Sequence, residues 1–161
     1  QETRENEQIE KEFLQMQESI RSIRALRAEC GIGPEVKLAV SIKPFSKEVE
    51  QNLENKIDLI KLLAGVLSLD FCTIKPEQSI GMVNKDFEVF VHIGENLDLR
   101  QLKARFEKEL EKETSFVTKL NAKLSGSFAQ NAPQEVVEKE KEKLISSQKR
   151  LDTLTTYLKA L

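Results

Sequence analysis

Apolar residues fall at Ile9, Phe13, Met16, Ile20, Ile23 and Leu26, in steps of 4, 3, 4, 3 and 3. That spacing lays one stripe along an amphipathic helix. Gly31 and the Gly33-Pro34 pair stop it, because Gly accommodates a helix end and Pro cannot continue one. Residues 1–8 are polar and are expected to fray. Arg21, Arg24 and Arg27 form a basic line on the same helix. Such a line is read first as a solvated or locally paired face, with nucleic-acid contact as the minor alternative.

The period then changes to two. In "VKLAVSIKP" Val36, Leu38, Val40 and Ile42 share one face against Lys37, Ser41 and Lys43, which predicts a half-buried strand. Ser46 can cap a second helix whose stripe is Val49, Leu53, Ile57, Ile60 and Leu63, ending near Gly65. Further strands are expected at 67–74, 80–83 and 87–93, the last two joined by an Asn84-Lys85-Asp86 turn. Phe87, Val89, Val91 and Ile93 face one way, with Glu88, Phe90 and His92 opposite. His92 is expected on the solvent side as a structural histidine without a partner.

From Leu97 a heptad-like pattern takes over. Leu99, Leu102, Phe106, Leu110, Val117, Leu120 and Leu124 form one seam. Val137, Leu144, Leu151, Leu154, Leu158 and Leu161 form a second. The short Gly- and Pro-containing segment between them predicts an antiparallel coiled-coil hairpin. At about 25 residues per helix and ~1.5 Å per residue, the arm is on the order of 40 Å long. Asn131-Ala132-Pro133 sets the start of the second helix. The fold class is therefore α+β: a small mixed or antiparallel sheet with two flanking helices, then a long helical hairpin.

Composition agrees with long solvated helices: 32% of the 161 residues are charged and 6% aromatic. Net charge is −2, which excludes an indiscriminate polycation. The charge is uneven, −5 over residues 1–96 and +3 over 97–161. Cys30 and Cys72 lack any CxxC or His cluster and read as reduced, packed thiols of a cytoplasmic protein. "LIKLLAGVLSL" is too short to cross a membrane. The chain starts at Gln1 rather than Met, which points to a piece of a longer protein.

Three stretches carry a family resemblance. "LKARFEKELEKE" followed by "LNAKLSGSFAQNAPQEVVEKEKEKL" resembles the C-terminal hairpin of valyl-tRNA synthetases. "IRSIRALRAECGIGP" is similar to the closing helix of that family's anticodon-binding domain. "LIKLLAGVLSLDF", with "VNKDFEVFVHIGENLDL" leading into the arm, is a weaker match. The resemblance implies three segments: 1–33 as the end of the anticodon-binding region, 34–95 as a junction domain, and 96–161 as a tRNA-binding arm. It also implies an arm leaning on the tRNA elbow, within a class I valine–tRNA ligase that charges valine-specific tRNA. No His-Ile-Gly-His-like or Lys-Met-Ser-Lys-Ser-like stretch occurs here. Catalysis, with its ATP and magnesium, is thus expected in absent domains, and this stretch is expected to hold no cofactor or metal. Its other expected partners are the missing catalytic and anticodon-binding domains, and it is expected to be a monomer.

The candidate tRNA contacts are Lys119, Lys123, Phe128, Lys139, Lys141 and Lys143. Lys119 and Lys123 lie one helical turn apart, a spacing able to track a phosphate backbone. Lys139, Lys141 and Lys143 by themselves form a solvated helical face, and only the resemblance raises them to phosphate contacts. Asn131 stands where the family commonly has a basic residue, which moves the phosphate-binding role to these flanking lysines. Phe128 is read as a staple on Leu124, with stacking on an elbow base as the sharper alternative. Arg100, Lys103 and Arg105 are expected to orient the arm. The rival reading is a structural coiled-coil or dimerisation module with no RNA ligand.

Overall fold

A computed structural model describes residues 2–94 and 97–161. The chain divides into two compact units, Gln1–Leu97 and Asp98–Leu161. The division expected between residues 95 and 96 lies outside the described residues. The architecture is α+β, a four-stranded mixed sheet followed by long C-terminal helices.

The first unit runs α1 (Glu2–Glu29), β1 (Leu38–Pro44), α2 (Lys47–Glu54), α3 (Ile57–Ala64), β2 (Val66–Phe71), β3 (Ser79–Val83) and β4 (Phe87–His92). The sheet order is β2-β1-β4-β3, with β1 parallel to β2 and the other pairs antiparallel. Val40 sits between Leu69 and Val91, and Ile80 continues that row, so the even positions of β1 meet apolar neighbours across the sheet. Asn84 closes the β3–β4 hairpin: its side-chain oxygen accepts from the amides of Asp86 and Phe87.

The α1 stripe is buried only in part. Met16, Ile20, Ile23 and Leu26 enter the core, whereas Ile9 and Phe13 remain 65% and 49% exposed. Over its first half α1 meets α2 through polar groups instead: Gln8 donates to Asn52, which donates to Gln15. Of the basic line, Arg21 is exposed and paired locally with Glu18, as expected, whereas Arg24 and Arg27 reach across to α3. Arg24 donates to the Leu63 carbonyl, and the two terminal nitrogens of Arg27 donate to the carbonyls of Gly33, Val36, Ala64 and Gly65 at 2.7–3.0 Å. One guanidinium thereby ties the turn after α1 to the end of α3.

The single helix expected over 46–65 is two. Ser46 caps α2 as expected, but Asn55 and Lys56 interrupt it. The Lys56 amide bonds the Leu53 carbonyl, a tight three-residue closure, and Asn55 donates to Glu12 of α1. This tertiary bond and the break together re-aim α3. Gly65 ends α3 in the left-handed conformation at φ +67°, where a Cβ would also meet Arg27 at 2.8 Å.

Two further expectations for β4 are corrected. His92 has a partner: its Nε2 lies 2.7 Å from Ser41 Oγ, and the ring is half-buried. Phe90 is 1% exposed although it alternates with the core residues. It lies opposite Gly81, where a Cβ would come within 2.7 Å of the ring. Gly81→Val is accordingly expected to destabilise this unit by about 1–3 kcal/mol through overpacking. An unchanged urea midpoint would show that the ring moves aside freely.

The second unit is α4 (Leu99–Ser125), α5 (Ser127–Asn131) and α6 (Gln134–Ala160). Asp98 caps α4 by accepting from the amides of Arg100 and Gln101. The connecting segment is a helical turn, α5, with Gly126 and Ala132 extended on either side. Pro133 precedes α6, and its carbonyl accepts from the Val136 and Val137 amides. α4 and α6 pack against each other in opposite directions: Phe106 stacks on Tyr157 at 5.1 Å, and Arg150 donates to Glu109 at 2.7 Å. Leu102, Phe106, Leu120, Val137, Leu154 and Tyr157 are buried. The middle is polar, since Ser147 is buried and one oxygen of Glu113 is enclosed with no hydrogen-bond partner. Among the described residues no helix is long and apolar enough to cross a membrane, and neither Cys30 nor Cys72 is in a disulfide.

Candidate nucleic-acid interface

The distal ends of α4 and α6 are joined by one carboxylate. Lys143 donates to Glu140 Oε1 at 3.1 Å, and Lys123 Nζ lies 3.7 Å from Oε2 of the same residue. The hydrogen bond from Lys143, and after it the charge of Lys123, hold the Glu140 carboxyl below the usual range, against burial that pushes it up. Lys123 also sits over the Phe128 ring, 4.3 Å from its centroid. One face of that half-buried ring is therefore covered by an ammonium group of its own chain.

This arrangement sorts the candidate residues. Glu140 brings Lys123 and Lys143 together across the two helices. Lys119 precedes Lys123 by four residues and Lys139 precedes Lys143 by four, so each joins its partner's side of its own helix. Lys141, two residues from both Lys139 and Lys143, is turned about 160–200° from them and falls on the far side of α6. Lys119, Lys139 and Lys141 are exposed and make no ion pair among the described residues. Lys103 and Arg105 pair along α4 with Glu107 and Glu109.

Glu140, which bridges Lys123 and Lys143, carries no signal in the apolar pattern and reads in sequence as part of the solvated Lys/Glu run. Its signal is the spacing: Val137, Glu140, Leu144 and Ser147 step by 3, 4 and 3, which places Glu140 on the seam. Its side chain is 13% exposed. The described residues contain no group of three or more His, Cys, Asp or Glu side chains able to hold a metal ion.

Residues 98–161 match the family model "Valyl tRNA synthetase tRNA binding arm". The chain is 42% identical over 153 residues to the valine–tRNA ligase of Treponema denticola, covering 92% of this chain and 17% of that protein. It is 34% identical over 152 residues to that of Aquifex aeolicus, covering 90% and 13%. Against the Thermotoga maritima enzyme it is 31% identical over 158 residues, covering 97% and 18%. The chain thus spans less than a fifth of the length of the curated relatives it matches. A paired-helix unit coextensive with the arm model, and relatives of one name aligned along nearly the whole chain, place this chain in the valyl-tRNA synthetase family as a C-terminal region bearing the tRNA-binding arm.

Proposed function

We propose that this chain is the non-catalytic tRNA-binding region of a valine–tRNA ligase. Its α4 and α6, paired as an antiparallel coiled-coil hairpin, hold the elbow of valine-specific tRNA and position it for aminoacylation. The observation that carries this reading is the gathering of Lys119, Lys123, Lys139 and Lys143 on one side of the distal hairpin, around Glu140. Phosphate contacts position an RNA without reading its sequence, and an A-form helix offers shape and backbone before base edges. Holding the elbow lowers the entropic cost of engaging both ends of the tRNA at once.

In this reading 96–161 is the arm, 34–95 the junction domain and 1–33 the end of the anticodon-binding region. ATP, magnesium and valine activation belong to the portion of the protein outside this chain. Exposed Ile9, Phe13 and Leu14 on α1, with Leu59, Leu62 and Leu63 on α3, support coverage of that surface by other domains of the same protein. The chain is a cytoplasmic monomer whose helices pair within one molecule.

The test is binding of unfractionated tRNA across a salt series. The chain is expected to bind at low salt with log K falling linearly against log salt, by roughly 0.7–0.9 per phosphate contact. A chain that binds no tRNA at 50 mM salt, while fully helical by circular dichroism, would overturn the reading.

A further inference from the structure

We infer that the RNA-binding surface extends down the length of α4, as a basic face that fits the backbone of a helical RNA segment lying along the arm. This deepens the arm reading and rests on it. Lys108, Lys112, Lys119 and Lys123 recur in steps of 4, 7 and 4, which on a 3.6-residue helix puts them in one row. All four are exposed, and the first three make no ion pair among the described residues.

The carboxylates of α4 border this row. Glu107 is turned about 100° from Lys108, and Glu111, three residues after Lys108 and one before Lys112, lies on the same flank. Glu109 reaches toward α6 and accepts from Arg150, and Glu113 lies in the seam. The row is thus a cationic stripe with its acids on either flank.

α6 supplies a second row beside it. The Glu109–Arg150 and Lys123–Glu140–Lys143 contacts put Arg150 and Lys143 on the flank of α6 nearest the α4 row. Lys143 and Arg150 are one heptad apart, and Lys139 is a turn before Lys143, so the three share that flank. From Lys108 to Lys123 the face runs about 22 Å at ~1.5 Å per residue.

Regularly spaced point charges along a rod suit regularly spaced phosphates. Single-stranded RNA would instead need a series of aromatic platforms. This face offers one free ring, Phe116 at 42% exposed, set in the gap between Lys112 and Lys119. The ring of Phe128 is already occupied by Lys123.

The experiment compares two paired variants of the 161-residue chain, Lys108→Gln/Lys112→Gln and Lys149→Gln/Lys159→Gln. Lys149 and Lys159 are turned about 100–180° from Lys143 and Arg150 around α6. The probes are unfractionated tRNA, a 16-base-pair RNA duplex and a 16-nucleotide uridine strand. The 108/112 pair is expected to lower affinity for tRNA and duplex about tenfold and to flatten the salt slope by about 1.5, while the 149/159 pair changes affinity less than about twofold. Helicity should be unchanged, because Lys and Gln have similar helix propensity. Equal losses from both pairs would overturn the inference. So would no loss at 108/112 while tRNA remains bound, an outcome that leaves the arm reading standing. Preference for the uridine strand over the duplex would overturn the assignment to helical RNA. Absence of tRNA binding by the unaltered chain would overturn the arm reading itself and this inference with it.

Discussion

Replacing Arg27 by Ala is expected to cost the N-terminal unit about 3–5 kcal/mol, a large share of the roughly 5–15 kcal/mol that holds a unit of this size. Two guanidinium nitrogens serve four carbonyls drawn from the turn after α1, the approach to β1 and the end of α3. The carbonyls of Ala64 and Gly65 lie at a helix C-terminus, where the backbone lacks intrahelical donors and the dipole favours a cation. A charged hydrogen bond contributes roughly 1.5–3 kcal/mol, and partial access of water keeps the total well below the simple sum. At about 4–8 °C per kcal/mol, the melting temperature should fall by roughly 15 °C or more. Arg27→Lys should recover less than half of the loss, because an ammonium presents its donors from one atom and cannot fork between two segments. Urea unfolding, with amide exchange followed in β1 and β4, isolates this unit from the arm. A loss under about 1 kcal/mol, the size of an ordinary surface change, would mean that water replaces the guanidinium.

Charge reversal at Lys119, Lys123, Lys139 and Lys143 together should weaken tRNA binding on the order of a hundredfold at low salt and flatten the salt slope by roughly 3. Lys119 and Lys139 make no ion pair among the described residues and should act through phosphate contact alone. Lys123 and Lys143 already hold Glu140, so their reversal also places three carboxylates at the end of the hairpin. The two effects separate by measurement: Lys119→Glu/Lys139→Glu should lower affinity with helicity and melting unchanged, whereas Lys123→Glu/Lys143→Glu should lower both affinity and arm stability. In the full-length protein, aminoacylation should fall while valine-dependent ATP–pyrophosphate exchange, which involves no tRNA, is spared. Equal loss in both assays would show that these lysines support the fold of the catalytic body.

The two long helices of the arm were the most legible part of the molecule in sequence, because an apolar stripe sustained over many turns overrides local propensity. The arm's polar centre was less so. The 7-residue steps from Leu110 to Val117 and from Val137 to Leu144 pass over Glu113 and Glu140, and a search for apolar residues treats such positions as gaps. Gln15 and Asn52 raise the same difficulty. Both are buried and bonded to each other, yet polar residues give no periodic signal of burial. Lysine positions could be read, but their grouping could not, since it depends on which flank of α6 faces α4.

By itself the sequence determined the alternation of helix and strand, the Ser46 cap, the Asn84 turn and the return of the arm at Gly126 to Pro133. These are local: each follows from hydrophobic period, a side chain bonding its own backbone, or a residue with restricted φ. Tertiary structure alone decided that β2 pairs parallel to β1 at the sheet edge, that α2 and α3 separate at Asn55, and that His92 finds Ser41. It alone decided that Arg27 clamps three segments and that Glu140 draws Lys123 and Lys143 together. In each of those cases the deciding contact joins residues at least 17 apart or competes with a local preference, apart from the reach of Arg27 into its own turn and the i,i+3 contact of Lys143 with Glu140. A hydrogen bond to a distant carbonyl leaves no period in the chain. It exists only once packing has brought the partners within about 3 Å of each other.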